Sequence, residues 1–374
     1  MKISTGFDSG NIQCLSCTDP SNVRLSIRKD NNSDFYQWFH FRASGVQGEA
    51  CQYVIENAAD AAYPKGWDGY QAVASYDREF WFRVPTAYKD GELVITHTSS
   101  QDGIYYAYFA PYPMERHADL IATAQTSPLA RLEVLGETLD GQDIDLLVVG
   151  DSGVGGLPVW TIARQHPGET MAEWWMEGFL ERLLDEDDAV SKALLKQVCF
   201  YAVPNMNPDG SRRGHLRTNA AGANLNREWQ NANMETSPEV YLVRQRMRQT
   251  GVGLSLDVHG DEALPYNFIA GTQGIEGWTP ERDAELNAFR QGYQAINPDF
   301  QTTYGYPANP PGTANLSMCS NYIAHTFGCL AMTLEMPFKD TADTPDVTQG
   351  WSPERAKRLG MSFIDVLWQH LQNK

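Results

Sequence analysis

His166-Pro167-Gly168-Glu169 decides how this chain is read, because two later clusters, Asn224-Leu225-Asn226-Arg227 and Asp257-Val258-His259-Gly260, supply what it lacks. Imidazole nitrogens and a carboxylate are the groups that hold a catalytic zinc, three from the protein with a fourth position left for water. Pro167-Gly168 is turn chemistry. A glycine free to take positive φ lets the chain fold back until His166 and Glu169 point at one ion. His259 lies far downstream and closes the set only if the fold returns it. An H-x-x-E alone is common by chance; joined to the later clusters it becomes specific.

The surrounding sequence says which elements carry these groups. Residues 159–163 are an apolar strand run that feeds into His166. Over residues 170–184, Met171, Trp174, Trp175 and Phe179 recur at helical spacing, so a helix follows the turn and its tryptophans belong to the core. Residues 146–149 and 198–203 are further strands, and the second runs into the turn Asn205-Met206-Asn207-Pro208-Asp209-Gly210. The run 252–258 ends at His259, and 330–334 ends at Glu335. Every candidate group thus stands at or just beyond the end of a strand, where open α/β sheets place their sites. Alternating strands and helices predict an α/β fold with a mixed, mostly parallel sheet flanked by helices on both faces.

Upstream the pattern differs. Segments 23–27, 35–41, 79–84, 93–97 and 104–109 are short, aromatic and β-branched, with polar or Gly/Pro turns between them. They predict an N-terminal antiparallel β-sandwich or small barrel. Pro111-Tyr112-Pro113 breaks that pattern, which divides the 374 residues into domains 1–115 and 116–374. A formal charge of −18 argues against nucleic acid and anionic membranes as partners. The first residues show no apolar leader and no run reaches membrane-spanning length, which leads to the expectation of a cytoplasmic chain. Cys14-x-x-Cys17 lacks a second CxxC or a nearby His, so reduced thiols are expected.

In chain order, H-P-G-E, Asn207-Pro208-Asp209-Gly210, Arg217, Gly222-x-Asn224-Leu225-Asn226-Arg227, Asp257-x-His259-Gly260 and Thr333-Leu334-Glu335 resemble the zinc metallocarboxypeptidases. The resemblance is to their cytosolic carboxypeptidase branch, in a small bacterial-type form, and covers residues 116–374. Phe7-Asp8-Ser9-Gly10-Asn11, Tyr76-Asp77 and Tyr108-Phe109-Ala110-Pro111-Tyr112 resemble that branch's extra β domain by general pattern. The resemblance implies one zinc per chain on His166, Glu169 and His259, with Glu335 as general base. It implies Arg217 as the group that polarises the scissile carbonyl, and Asn226 with Arg227 as the grip on the substrate's terminal carboxylate. A tyrosine usually joins that grip; Tyr306 stands at about the right spacing, with Tyr304 as the other choice. Arg212 and Arg213 are nearby alternatives that read as solvated loop residues, and Glu262 is a distant competitor to Glu335. The remaining histidines read as structural, His215 being the one closest to the motif residues.

Two departures qualify the match. Where the family has an aspartate orienting the first zinc histidine, this chain has Asn224, whose amide accepts a hydrogen bond but adds no negative charge. Between Arg290 and Lys339 there is no Lys or Arg, which argues against removal of glutamate and for a polar or apolar C-terminal residue. The substrate expected is a peptide or protein C-terminus. A zinc amidohydrolase of acylated amino acids is the competing enzyme, a non-catalytic binding module is the competing class, and a homo-oligomer is left open.

Overall fold

The structure, a computed structural model, describes residues 1–150 and 155–373. Two five-stranded sheets make up the N-terminal part. The first runs β1 (Lys2–Ser4), β4 (His40–Ser44), β10 (Gly103–Ala107), β6 (Val73–Ser75), β7 (Phe82–Arg83) in spatial order. The second runs β2 (Gln13–Ser16), β3 (Val23–Ser26), β5 (Ala50–Ile55), β9 (Glu92–Thr98), β8 (Thr86–Lys89). Every pairing is antiparallel except β3 with β5. Between the sheets lie Phe39, Phe41, Tyr53 and Tyr106, with Tyr53 and Tyr106 centroids 4.8 Å apart. Residues 35–39, expected to be strand, are irregular, because Gln37 and Trp38 spend their side chains on Tyr63 and on the Ser9 carbonyl.

The larger sheet has seven strands in the order β11 (Ala130–Glu137), β12 (Asp143–Val149), β14 (Val198–Val203), β13 (Leu157–Ala163), β15 (Leu254–Asp261), β17 (Leu330–Pro337), β16 (Phe268–Ala270). The four central strands β14, β13, β15 and β17 are parallel to one another; the outer pairings are antiparallel. Both faces of the parallel core are covered, and alternate residues sort between them. Val159, Phe200, Leu256 and Val258 face the cluster built with α2 (Met171–Leu183), α6 (Pro280–Ile296) and α8 (Pro353–Gln372). Trp160, Ile162, Tyr201 and Ala331 face α5 (Pro238–Thr250) and α7 (Cys319–Phe327). The other α-helices among the described residues are α1 (Met114–Ala124), α3 (Ala189–Leu194) and α4 (Pro208–Arg213). Each large apolar side chain buried this way contributes roughly 1.5–3 kcal/mol.

The two parts share one apolar cluster that extends from Ile12 to Leu367. Phe338 stacks on Tyr108, ring centroids 4.5 Å apart. The motifs at residues 7–11 and 108–112 form this seam. Ser9 N–H donates to the Arg212 carbonyl (3.0 Å), Asn11 Nδ2 to the Gly214 carbonyl (2.8 Å), and Ala110 O accepts from Thr170 Oγ1 (2.8 Å). No described helix is long and apolar enough to cross a membrane.

Candidate active site

The turn at residues 166–169 is shaped by Arg164 and Gly168, in ways the sequence did not indicate. The positive φ is at Arg164 (60°), not at Gly168. Arg164 is buried, and its guanidinium holds the Pro167 carbonyl (3.0 Å), the Tyr112 carbonyl (2.6 Å) and Glu173 Oε2 (2.6 Å). Gly168 is needed for close approach instead: a Cβ there would lie 3.0 Å from Leu216 O and 3.2 Å from Leu216 Cα.

His166 and Glu169 converge with His259, all three buried. Glu169 Oε1 lies 2.7 Å from His166 Nδ1, and Oε2 lies 2.8 Å from His259 Nδ1; the two Nδ1 atoms are 3.2 Å apart. The outer nitrogens identify the tautomers. His166 Nε2 faces Asn224 Oδ1 at 3.1 Å, and His259 Nε2 faces Asp257 Oδ2 at 2.9 Å. Both partners are acceptors, so with a cation in place each Nε2 would carry the hydrogen and each Nδ1 would offer its lone pair inward beside the carboxylate. Three electron-rich atoms aimed at one point repel one another unless a cation joins them, and this donor set is the one zinc takes. Among the described residues these three form the group close enough to hold one ion. Asn224 therefore does orient the first histidine despite its missing charge.

Sheet register supplies the fourth group. His259 pairs with Glu335 across β15 and β17, which sets their side chains next to each other on one face. Both strands continue two residues beyond these positions, to Asp261 and Pro337, so the groups sit inside the ladder rather than past its end. Glu335 Oε2 is buried without a hydrogen-bond partner among the described residues. Burial pushes its carboxyl well above the usual range, against the pull of His259. Burial, with the neighbouring Arg217, drives His166 down to about 4. Glu169 resists its own burial and is held well below the carboxylate range by the two imidazoles.

A cavity of about 240 Å³ brings Arg217, Asn226, Arg227, Tyr306 and Glu335 together with His166, Glu169 and His259. Asn226 Oδ1 accepts from Cys319 N–H (2.8 Å), which leaves its NH₂ as the donor it can offer. Arg227 is exposed at the mouth, with Nη1 on the Asn226 carbonyl (2.7 Å). Tyr306 joins the site through its hydroxyl, which donates to Asp261 Oδ2 at 2.5 Å. Tyr304 instead stacks on Tyr266, centroids 4.4 Å apart. Glu262 lines the same cavity, pushed up to about 8 by burial and by Glu169. Arg213 pairs with Asp140 at the surface.

Three contributors went unread in the sequence. Tyr63, from the β domain, lines the cavity, and Asp30 holds the backbone beside Arg217. Neither carries a periodic or motif signal. Arg290 is the third. It lines an adjoining cavity of about 310 Å³ that also includes Asn226, Tyr306, Thr333 and Glu335. Its Nε donates to the Ile269 carbonyl (3.0 Å) and Nη1 to Asn287 Oδ1 (3.4 Å), both neutral. The expectation of a pocket without positive charge is thereby corrected. The signal was present: Arg290 shares the helical phase of the buried Leu286, Phe289 and Tyr293 on α6, so a half-buried guanidinium stands beside the core-facing side chains.

Comparison with known proteins agrees with this geometry. Residues 3–109 match the cytosolic carboxypeptidase N-terminal domain, and residues 116–355 match the zinc carboxypeptidase model. An uncharacterized protein of Zymomonas mobilis is 50% identical over 98% of this chain and 96% of its own length. Cytosolic carboxypeptidase 1 of Xenopus laevis is 28% identical over 64% of this chain, which spans only 23% of that protein. Among the solved structures that cover the whole chain are two metallo-carboxypeptidases. The metallo-carboxypeptidase from Burkholderia cenocepacia has a TM-score of 0.97 at 47% identity, over 100% of its own chain. The metallo-carboxypeptidase from Pseudomonas aeruginosa, in complex with (2-guanidinoethylmercapto)succinic acid, has a TM-score of 0.97 at 45% identity, over 99% of its chain. A turn and a strand that bring two imidazoles and a carboxylate together, an adjacent glutamate without a hydrogen-bond partner among the described residues, and these matches lead to one conclusion: the chain belongs to the zinc carboxypeptidase family and is a peptidase.

Proposed function

We propose that this enzyme removes C-terminal amino acids from peptides or proteins, with one zinc held by His166, Glu169 and His259. The observation that carries the reading is the unpartnered Glu335 carboxylate fixed by register beside His259. Bound there, zinc would lower the pKa of a water and place positive charge beside the buried carboxyl. Glu335 then takes the proton of the attacking water and passes it to the departing amine. Arg217 faces the carbonyl oxygen on which negative charge develops, and its guanidinium stabilises that charge in a sheltered cavity. Arg227 and the Asn226 amide meet the terminal carboxylate, a planar acceptor that suits a guanidinium fork. Tyr306 closes the same side from its place on Asp261.

The adjoining cavity takes the side chain of the departing residue. Arg290 lies there with neutral hydrogen-bond partners and, among the described residues, only Asp283 acting on it electrostatically, and we assign the preference to an acidic side chain. Burial lowers the Arg290 pKa, a sign that desolvation of this cation is not fully offset within the protein. Residue 115 is proposed as the boundary between the β domain and the catalytic domain.

A panel of blocked dipeptides tests this, each as free acid and as C-terminal amide, with zinc content measured alongside. Free acids ending in Glu should be cleaved fastest, amides not at all, and Arg290→Gln should erase the preference for Glu while sparing neutral residues. Equal cleavage of acid and amide would remove the carboxypeptidase reading in favour of an amidohydrolase. An unchanged Glu preference in Arg290→Gln would remove the pocket assignment.

A further inference from the structure

Arg217 lies on a stretch without regular secondary structure, residues 214–224, whose hydrogen bonds must come from elsewhere. Beyond those it makes within itself and to α4 and Glu239, the ones around Arg217 come from the β domain. Asp30, 3% exposed, accepts the Leu216 N–H on Oδ1 (2.7 Å). Its Oδ2 takes the Arg217 N–H (2.8 Å), the Thr218 N–H (2.9 Å) and Thr218 Oγ1 (3.1 Å). Four donors on one buried carboxylate fix three consecutive peptides. His215 adds to this: Nδ1–H donates to the Thr218 carbonyl (2.9 Å), which frees Nε2 to accept the Asn31 N–H (3.2 Å). Farther along, Gly222 has φ +88°, and a Cβ there would stand 2.7 Å from the carbonyl oxygens of both Asn31 and Asn32. The loop therefore lies against residues 30–32 as closely as backbone permits.

The guanidinium is placed by the same domain. Its carbon sits 5.5 Å over the Phe35 ring and 5.4 Å over the Tyr63 ring. The contact also extends to the metal turn, since the Leu216 carbonyl accepts the Gly168 N–H at 2.9 Å. One peptide unit thus joins Asp30 on one side to the turn of His166 and Glu169 on the other.

We infer that Asp30 is a positioning residue of the catalytic apparatus. With Phe35 and Tyr63 it makes the β domain the template on which the Arg217 guanidinium is aimed. This rests on Arg217 contacting the substrate, as proposed above. A carboxylate suits the task because it is acceptor-only and meets several N–H groups at once, whereas an amide must turn a donor toward one of them. The contact fixes the loop that carries the arginine and touches no strand of the catalytic sheet.

The test is a double-mutant cycle in the full chain, with the fastest substrate of the panel. Asp30→Asn should lower kcat/KM by roughly tenfold to a hundredfold, the scale of a displaced catalytic group, with zinc still stoichiometric. In an Arg217→Ala background the same change should cost less than about twofold, because the group it aims is gone. Full additivity of the two losses, with a matching fall in thermal midpoint, would overturn the inference and leave Asp30 as a structural residue only. If Arg217→Ala alone leaves kcat/KM intact, the role of the arginine is wrong and this inference goes with it. Should Asp30→Asn fail to fold, Phe35→Leu runs the same cycle, since it removes the ring under the guanidinium without touching those backbone bonds. Non-additivity with Arg217→Ala is again expected, and additivity again overturns it.

Discussion

Glu335 and Arg217 face the same cavity but are held there by different means. Glu335 is a strand residue, fixed by eight consecutive register pairs between β15 and β17, one of which sets it beside His259. Arg217 is a loop residue, fixed by hydrogen bonds from Asp30 and rings from Phe35 and Tyr63, all in another domain. Chemistry set on a ladder survives local disturbance, because moving one side chain means breaking a sheet. Binding set on a loop is only as good as the contacts that shape it. Changes to the metal-side groups should therefore remove reaction outright, while changes on the loop side should weaken the hold on substrate and transition state by degrees.

The largest effect should come from His166→Ala. Removing one of the inward-facing nitrogens opens the ligand set, so zinc and turnover should disappear together while the sheet stays folded. Stoichiometric zinc in the purified variant would refute the assignment. Glu335→Gln comes next. It keeps the three ligands and the volume but cannot take a proton, so turnover should drop roughly a hundredfold to ten-thousandfold with metal retained. Near-normal turnover would transfer the base role to Glu262, which lines the same cavity.

On the loop side, Arg227→Ala removes a charge-assisted bond to the terminal carboxylate, a loss of roughly 1.5–3 kcal/mol that should appear mainly in KM. Because Arg227 is exposed at the mouth before substrate arrives, the fold should not notice the change. Arg227→Lys should restore only part of the loss, since an ammonium cannot reproduce the planar fork. An unaltered KM for free acids would show that Asn226 and Tyr306 suffice.

The same contrast decided what could be read from the sequence. The strand side was legible because side-chain alternation is local: Asp257, His259 and Asp261 share one face of β15, and apolar Leu256 and Val258 share the other. The two-part architecture was legible from the change in periodicity near Pro111-Tyr112-Pro113. Gly168 was misread because its constraint is the Leu216 backbone arriving from far along the chain. Asp30 was invisible for the same reason: an Asp-Asn-Asn turn reads as an ordinary surface loop until the chain that needs its oxygens is laid against it. Arg290 was legible in phase, but it entered the sequence reading only as the end of a stretch without Lys or Arg.

The smallest effect on turnover belongs to Glu239, which supports the loop from behind. Its two oxygens accept from Asn219 Nδ2 at 3.2 Å, and Asn219 Oδ1 in turn holds the N–H groups of Ala221 and Ala223, just before Asn224. Burial, with Asp209 and Asp140 nearby, pushes the Glu239 carboxyl from 4.5 up to about 8. A raised folded-state pKa fixes the sign. Below about pH 4.5 both the folded and the unfolded chain hold the proton, and the full contribution to stability is present. As pH rises the unfolded chain releases its proton first, so stability falls until the folded carboxyl also ionises near 8, then levels off. Glutamine keeps the acceptor for Asn219 and cannot ionise. Glu239→Gln should therefore match wild type near pH 4.5 and exceed it above pH 8, by up to a few kcal/mol, with kcat/KM unchanged at neutral pH. Urea midpoints measured across that range check it. A stability difference that does not vary with pH would mean the carboxylate is already ionised in the fold, and that the loop side rests on charge rather than on a held proton.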